Sequence, residues 1–513
     1  MLSRICTAAL VGLDAHTVVV EVDIPGRGLP GIDIVGLPDA GLKESRMRVR
    51  SAIRNSFFEF PRTKVNVNLA PANVRKEGPG FDLPLALAIL TASRQVPGVN
   101  GRRFLAAGEL SLDGLVREVP GALSVALGAR ESGFDFVLLP KGNTSEAALV
   151  PDIEVFGVSS LQEAAAFLAG ELELEPARPA MVVRREDEAL CEDLGEVRGQ
   201  EPAKRALEVA AAGGHNLLMV GPPGSGKTML ARRMPGILPP LSLAEALEVT
   251  RVHSVAGLLG AGGVLISERP FRTPHGSISP VGLCGGGVPI PRPGEVSLAH
   301  GGVLYLDEMP LFQRHALESL RGPVEDRQVT IVRSMVSVTY PAAFSLVASM
   351  NPCPCGHLTD PQKECRCSPG DIQRYHARIS GPLLDRIDIQ VEVPRLTRRQ
   401  LQERGGGESS AEVRPRVVEA RRLQEARYGG TGVFCNAALS NSLIEKHCAL
   451  SPEGERFLGL AVEKLGLSAR SYSRVLKVAR TIADLSGVDR LEVEHLAEAV
   501  QYRCLERVGV LAR

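Results

Sequence analysis

Gly221, Pro222, Pro223, Gly224, Ser225, Gly226, Lys227 and Thr228 constrain this chain more than any other stretch. The run satisfies G-x-x-x-x-G-K-[ST] at every fixed position. Its neighbours supply the context that the motif requires. Residues 216–220 are an apolar run that reads as a buried strand, and residues 229–233 read as a helix. Glycines here let successive backbone N–H groups turn inward around phosphate oxygens. The helix N-terminus adds partial positive charge. In that geometry Lys227 reaches the β- and γ-phosphates of a nucleotide and Thr228 holds Mg²⁺. A chain carrying this unit must build a mainly parallel sheet with helices between its strands. Residues 191–394 alternate in that way, with Gly and Pro in the connections.

Two more strand ends extend the site. Residues 302–306 form an apolar run closed by Asp307 and Glu308. Acidic groups at the carboxyl end of a buried strand stand where nucleotide sites form in open α/β sheets. Asp307 is the candidate Mg²⁺ ligand and Glu308 the candidate base that polarises the attacking water. Residues 344–350 are a third apolar run, and Asn351 after it is placed to orient that water.

Next comes Ser380-Gly-Pro-Leu-Leu-Asp385-Arg386-Ile-Asp388. These elements, in this order, resemble an AAA+ ATPase, and more narrowly the ComM/YifB subfamily of magnesium-chelatase-like proteins, over the whole chain. The resemblance implies ATP and Mg²⁺ as ligands. It also implies a hexameric ring that hydrolyses ATP while acting on DNA, as a helicase or branch-migration motor in recombination or natural transformation. Arg386 is then a finger inserted into the neighbouring subunit's site, where a guanidinium neutralises charge developing on the γ-phosphate. Arg470, at the start of an amphipathic helix, falls at the sensor-2 position, with Arg474 as the alternate; a solvated helix face accounts for either arginine equally well. The inserts at 256–302 and at 328–340, the second a hairpin with Arg333 at its tip, are where the helicase-related AAA+ group presents hairpins to a central pore. The alternative function is a chelatase-type or chaperone-type ATPase that remodels a protein partner.

Cys353, Cys355, Cys365 and Cys367 form two C-x-C pairs directly after Asn351. Four thiolates on a short loop suit structural, tetrahedral Zn²⁺; four reduced thiols in a compact loop suit the same spacing. The remaining six of the ten cysteines are scattered and read as core.

Residues 1–172 resemble the proteolytic domain of Lon proteases through 76–82 and 108–124. Gly80 stands at the position of the nucleophilic Ser and Ser124 at that of the Lys. A Ser–Lys dyad needs a hydroxyl and an amine, so no peptidase activity is expected. Arg46, Arg50 and Arg54 recur every fourth residue, so a helix aligns them as a stripe that tracks phosphates or as a solvated face.

The expected architecture is a multidomain α/β chain. Residues 1–172 form a Lon-protease-like (ribosomal S5-like) α+β domain and 173–190 an acidic linker. Residues 191–394 form the AAA+ P-loop αβα core and 395–513 a helical lid. Lys plus Arg number 59 and Asp plus Glu 59, so the protein is not coated in positive charge. The balance is uneven, however: residues 395–513 hold 20 basic and 15 acidic residues, which leaves local grips on DNA open. No run reaches the ~20 apolar residues of a membrane span and no signal peptide is apparent. A cytoplasmic location without a membrane partner follows as the expectation.

Overall fold

The computed structural model describes residues 1–27, 29–36, 40–97, 101–179, 192–259, 265–287, 290–333, 336–360, 362–397 and 407–503. Most of the expected linker, 180–190, and the glycines Gly405 and Gly406 lie outside the described residues.

The chain begins with two ten-residue strands, Leu2–Val11 and Asp14–Asp23. Val18, Val20 and Val22 are buried and their neighbours are not, the period-2 signature of a sheet covered on one face. The two strands pair antiparallel around Gly12, whose φ of +67° suits glycine. They sit within a seven-stranded mixed sheet. Its order is Gly31–Val35, Lys64–Ala70, Asp14–Asp23, Leu2–Val11, Phe104–Ala106, Phe136–Pro140 and Glu154–Val158. Helix Asp82–Ala92 is buried along nearly its whole length and shares a core with this sheet. The N-terminal block is thus α+β, as expected.

The central block is a five-stranded, wholly parallel sheet in the order Phe271–Arg272, Val303–Leu306, Ser345–Met350, Leu217–Val220 and Ile389–Glu392. All residues of 217–220, 303–306 and 345–350 are buried. Such continuously apolar strands require cover on both faces. Both inserts fold into hairpins. Gly285–Gly286 pairs with Arg292–Pro293, and Gln328–Arg333 pairs with Val336–Pro341. The two pack together: the Tyr340 hydroxyl donates to the Pro291 carbonyl at 2.6 Å.

Helices Ser410–Tyr428, Asn441–His447, Pro452–Leu465, Ala469–Leu485 and Val493–Gln501 make up the C-terminal block. Ser409, Ser440, Ser451 and Ser468 cap the first four, each accepting from a backbone N–H of the first turn. One hydrophobic cluster runs from the P-loop strand through these helices, so the lid packs on its own core. Buried polar bonds reinforce the joint, including His215 with Thr481 at 2.7 Å and Gln424 to the Ala212 carbonyl at 3.0 Å. Among the described residues, no helix is long and apolar enough to cross a membrane.

Candidate functional site: a nucleotide pocket at the carboxyl edge of the parallel sheet

The P-loop leaves strand Leu217–Val220 at Gly221. A Cβ there would lie 2.1 Å from the Val393 carbonyl oxygen, so only glycine fits. Gly224 and Gly226 take φ of +76° and +96°, conformations that favour glycine, just before helix Lys227–Ile237 begins. Gln200 steadies the loop by donating to the Ser225 carbonyl at 3.1 Å and the Pro394 carbonyl at 2.6 Å.

Lys227 is nearly buried. Its Nζ donates to the Gly221 carbonyl at 2.7 Å, the Pro222 carbonyl at 3.0 Å and Asn351 Oδ1 at 3.2 Å. Burial lowers its pKa to about 8, against the opposing pull of Asp307 and Glu308. Thr228 Oγ1 donates to Asp307 Oδ2 at 3.0 Å. The two proposed Mg²⁺ ligands are therefore already adjacent, and a hydroxyl beside a carboxylate is the oxygen donor set that Mg²⁺ prefers.

Two residues that the sequence reading missed complete this arrangement. Ser349 Oγ donates to Asp307 Oδ1 at 2.5 Å and accepts the Glu308 N–H at 3.0 Å. The Tyr305 hydroxyl donates to the same Asp307 oxygen at 2.8 Å. Burial pushes the Asp307 carboxyl up, but the hydrogen bonds from Ser349, Tyr305 and Thr228 outweigh it and hold it below the usual range. Glu308 occupies φ +50°, an uncommon conformation for a non-glycine residue and one that concentrates at functional sites. Its side chain is exposed at the strand end. The structure thus brings Lys227, Thr228, Asp307, Glu308 and Asn351 together at the carboxyl end of the parallel sheet.

The two arginines of the finger and sensor readings lie elsewhere. Arg386 precedes strand Ile389–Glu392, whose first residue pairs with Leu217. It stands at the opposite edge of the sheet from its own P-loop, separated by four strand residues, or about 13 Å. Its guanidinium donates to the Pro382 carbonyl at 2.8 Å and pairs with Glu325. Arg470 is exposed in the first turn of Ala469–Leu485. Arg474, the alternate, is committed to structure: it pairs with Asp388 and donates to the Arg386 carbonyl at 3.1 Å. Burial raises the Asp388 carboxyl, but Arg474, His215 and the Asn216 N–H more than compensate and leave it well below the usual range.

The cysteine loop follows Asn351 directly. The Sγ atoms of Cys353, Cys355, Cys365 and Cys367 all lie within 4.8 Å of one another, with 3.4 Å between Cys353 and Cys355 and 3.6 Å from Cys365 to each. Tetrahedral thiolate ligation of zinc at ~2.3 Å places sulfurs about 3.8 Å apart, so the donor set fits. Of the scattered cysteines, Cys284, Cys435 and Cys448 are buried, Cys6 is half-buried, and Cys191 and Cys504 lie outside the described residues.

In the N-terminal block, Ser124 is fully buried and accepts from Arg251 Nε at 3.1 Å. Arg251 also donates to the Leu13 carbonyl at 2.8 Å and to Asp14 Oδ1 at 2.9 Å. Beside it, Ser254 donates to buried Glu146 at 2.5 Å. The position that resembles the Lon lysine is thus part of the joint between the N-terminal block and helix Leu243–Val255. A lysine there would face a guanidinium. Ser124→Lys is expected to destabilise the protein by about 3 kcal/mol or more, as an uncompensated buried charge does. Ser124→Ala should cost only about 1 kcal/mol. Thermal unfolding compares the two, and equal melting temperatures would overturn this account of the joint.

The arginine stripe lies on helix Ala40–Asn55, but it is partly spent. Arg46 reaches the Ile32 carbonyl at 3.4 Å, Arg50 lies over the Phe60 ring at 5.6 Å, and Arg54 is exposed. Arg48 turns inward to Asp82 at 2.8 Å. On the hairpins, Arg292 and Arg333 are both exposed, and His275 in the first insert is bonded to Ser277 at 2.8 Å.

Comparison with known proteins places this geometry. Residues 193–401 match the family model described as "Magnesium chelatase, subunit ChlI", residues 20–143 that of "Subunit ChlI of Mg-chelatase", and residues 407–503 that of "Magnesium chelatase, subunit ChlI C-terminal". The YifB protein of Salmonella typhimurium is 45% identical over 510 residues, covering 99% of this chain and 98% of YifB. The competence protein ComM of Haemophilus influenzae is 44% identical over 513 residues, covering 99% and 98%. A Lon protease of Mesomycoplasma hyopneumoniae is 27% identical over 146 residues, 27% of this chain and 16% of that protease.

Proposed function

The chain belongs to the ComM/YifB family of magnesium-chelatase-like AAA+ proteins, and on that footing we propose that it is an ATP-hydrolysing motor that assembles into a hexameric ring and moves on DNA. ATP binds across the P-loop, with Lys227 moving from its carbonyl partners to the β- and γ-phosphates. Thr228 and Asp307 would hold Mg²⁺, which would supply neutralisation of phosphate charge. Glu308 takes the proton of the attacking water, and Asn351 orients that water. Arg386 completes the site of the next subunit, and Arg470 contacts nucleotide from the lid. No peptide is cleaved, because Gly80 offers no hydroxyl and Ser124 no amine.

The observation that carries the DNA reading is the pairing of the two inserts. They converge in packed hairpins whose exposed Arg292 and Arg333 point to a phosphate backbone as their partner. ATPase rates measured with single-stranded and branched DNA test this. Stimulation by DNA, lost in Arg292→Ala/Arg333→Ala and weakened by salt, is the expected result. Indifference of the rate to every DNA would favour the protein-remodelling function instead.

A further inference from the structure

The cysteine loop touches the nucleotide pocket at two places. It emerges from the strand end that carries Asn351, whose Oδ1 holds Lys227 Nζ at 3.2 Å. It then turns tightly: the Gly356 N–H donates to the Cys353 carbonyl at 3.0 Å, with φ +81° at Gly356. At that turn the loop backbone lies on the P-loop itself. A Cβ on Gly356 would meet Pro223 Cδ at 2.5 Å and Cγ at 2.7 Å. The far side of the loop reaches the pocket's other flank. Asp360 accepts from Arg395 at 3.3 Å, one residue past Pro394, whose carbonyl accepts from the Gln200 that also holds Ser225.

Besides the thiol cluster, His357 and Arg395 both pair with Asp360, and His376 meets the Pro352 carbonyl at 3.0 Å. Among the described residues of 351–368 there is no helix or strand. Residues 353–367 close on themselves through the thiol cluster, and closing a loop of this length costs conformational entropy that a metal cross-link offsets.

We propose that the loop is a metal-dependent clamp on the P-loop: Zn²⁺ held by Cys353, Cys355, Cys365 and Cys367 fixes Gly356 against Pro223 and Asn351 against Lys227, and so sets nucleotide affinity. The proposal rests on the nucleotide-binding reading of the pocket and extends it to control by metal. The clamp acts on the loop that receives the phosphates and, through Asn351, on Lys227.

The test uses the full chain, with zinc per chain measured by elemental analysis and the affinity of a fluorescent ATP analogue measured by titration. Stripping zinc with a chelator is expected to weaken nucleotide binding about tenfold, within the range of coupling between two ligand sites, with recovery on adding zinc back. Gly356→Ala separates clamping from ligation. It keeps all four thiols but forces the loop off Pro223, so it should retain one zinc per chain and still lose about tenfold in affinity. Circular dichroism confirms that each form compared is folded. Unchanged affinity in stripped, folded protein, or in zinc-loaded Gly356→Ala, overturns the clamp. Absence of zinc from the protein both as purified and after reconstitution overturns it at the metal. Failure of even the zinc-loaded wild type to bind the analogue would instead sink the nucleotide reading beneath it.

Discussion

Replacing Glu308 by Gln is expected to leave ATP binding intact and to lower the hydrolysis rate by at least ~10²-fold, the range by which a positioned general base accelerates proton transfer. Gln preserves the shape of the side chain and leaves the backbone held by Ser349. It removes only the capacity to take a proton. Lys227→Ala should behave differently. Lys227 is the cation of the pocket, so its loss should weaken nucleotide binding as well as abolish turnover. Titration with a fluorescent ATP analogue beside steady-state phosphate release separates the two. Equal turnover by Glu308→Gln and wild type would remove Glu308 from the base assignment, whatever the lysine variant does.

The parts of this site legible in the sequence are those fixed by local chain geometry. A P-loop requires its strand, glycines and helix within about fifteen residues, and a buried strand advertises itself as an apolar run. Hence Lys227, Thr228, Asp307, Glu308 and Asn351 each stand next to an element readable from its apolar run or its glycines. Ser349 and Tyr305 were not, because their roles exist only once the sheet is assembled. Tyr305 lies two residues before Asp307 on the same face of its strand, and Ser349 reaches Asp307 from the neighbouring strand. A polar residue inside an otherwise apolar strand next to a P-loop was the available signal. Arg474 illustrates the opposite case. Its helix position suits a nucleotide contact, yet the buried carboxylate of Asp388, 86 residues earlier, claims it. The same holds for Arg48, drawn inward by Asp82, and for Ser124, whose partner Arg251 lies 127 residues away. Long-range side-chain pairs leave no periodic trace in a sequence.

Arg386 precedes strand Ile389–Glu392. At the edge of the sheet away from its own P-loop, it cannot serve its own nucleotide, so any catalytic role is in the site of a neighbour. Its present partner does not prevent that. Glu325 is half-exposed and Arg386 11% exposed, so serving a neighbour requires the guanidinium to exchange Glu325 and the Pro382 carbonyl for a triphosphate in a closed interface. Arg386→Ala should therefore bind ATP normally and lose about 10³-fold in turnover, the lower end of what an arginine finger supplies. The decisive experiment mixes this variant with Lys227→Ala. Each alone is inactive, yet at an interface where the Arg386→Ala subunit lends its P-loop and the Lys227→Ala subunit its finger, one complete site forms. In rings assembled at random from equal amounts, about a quarter of interfaces meet that condition, because heterologous contacts pair each subunit's P-loop with the next subunit's finger. Roughly a quarter of wild-type turnover should return on mixing. If mixing restores none while the two variants demonstrably co-assemble, Arg386 is not a finger in trans, and the ring's sites are not shared between subunits through it.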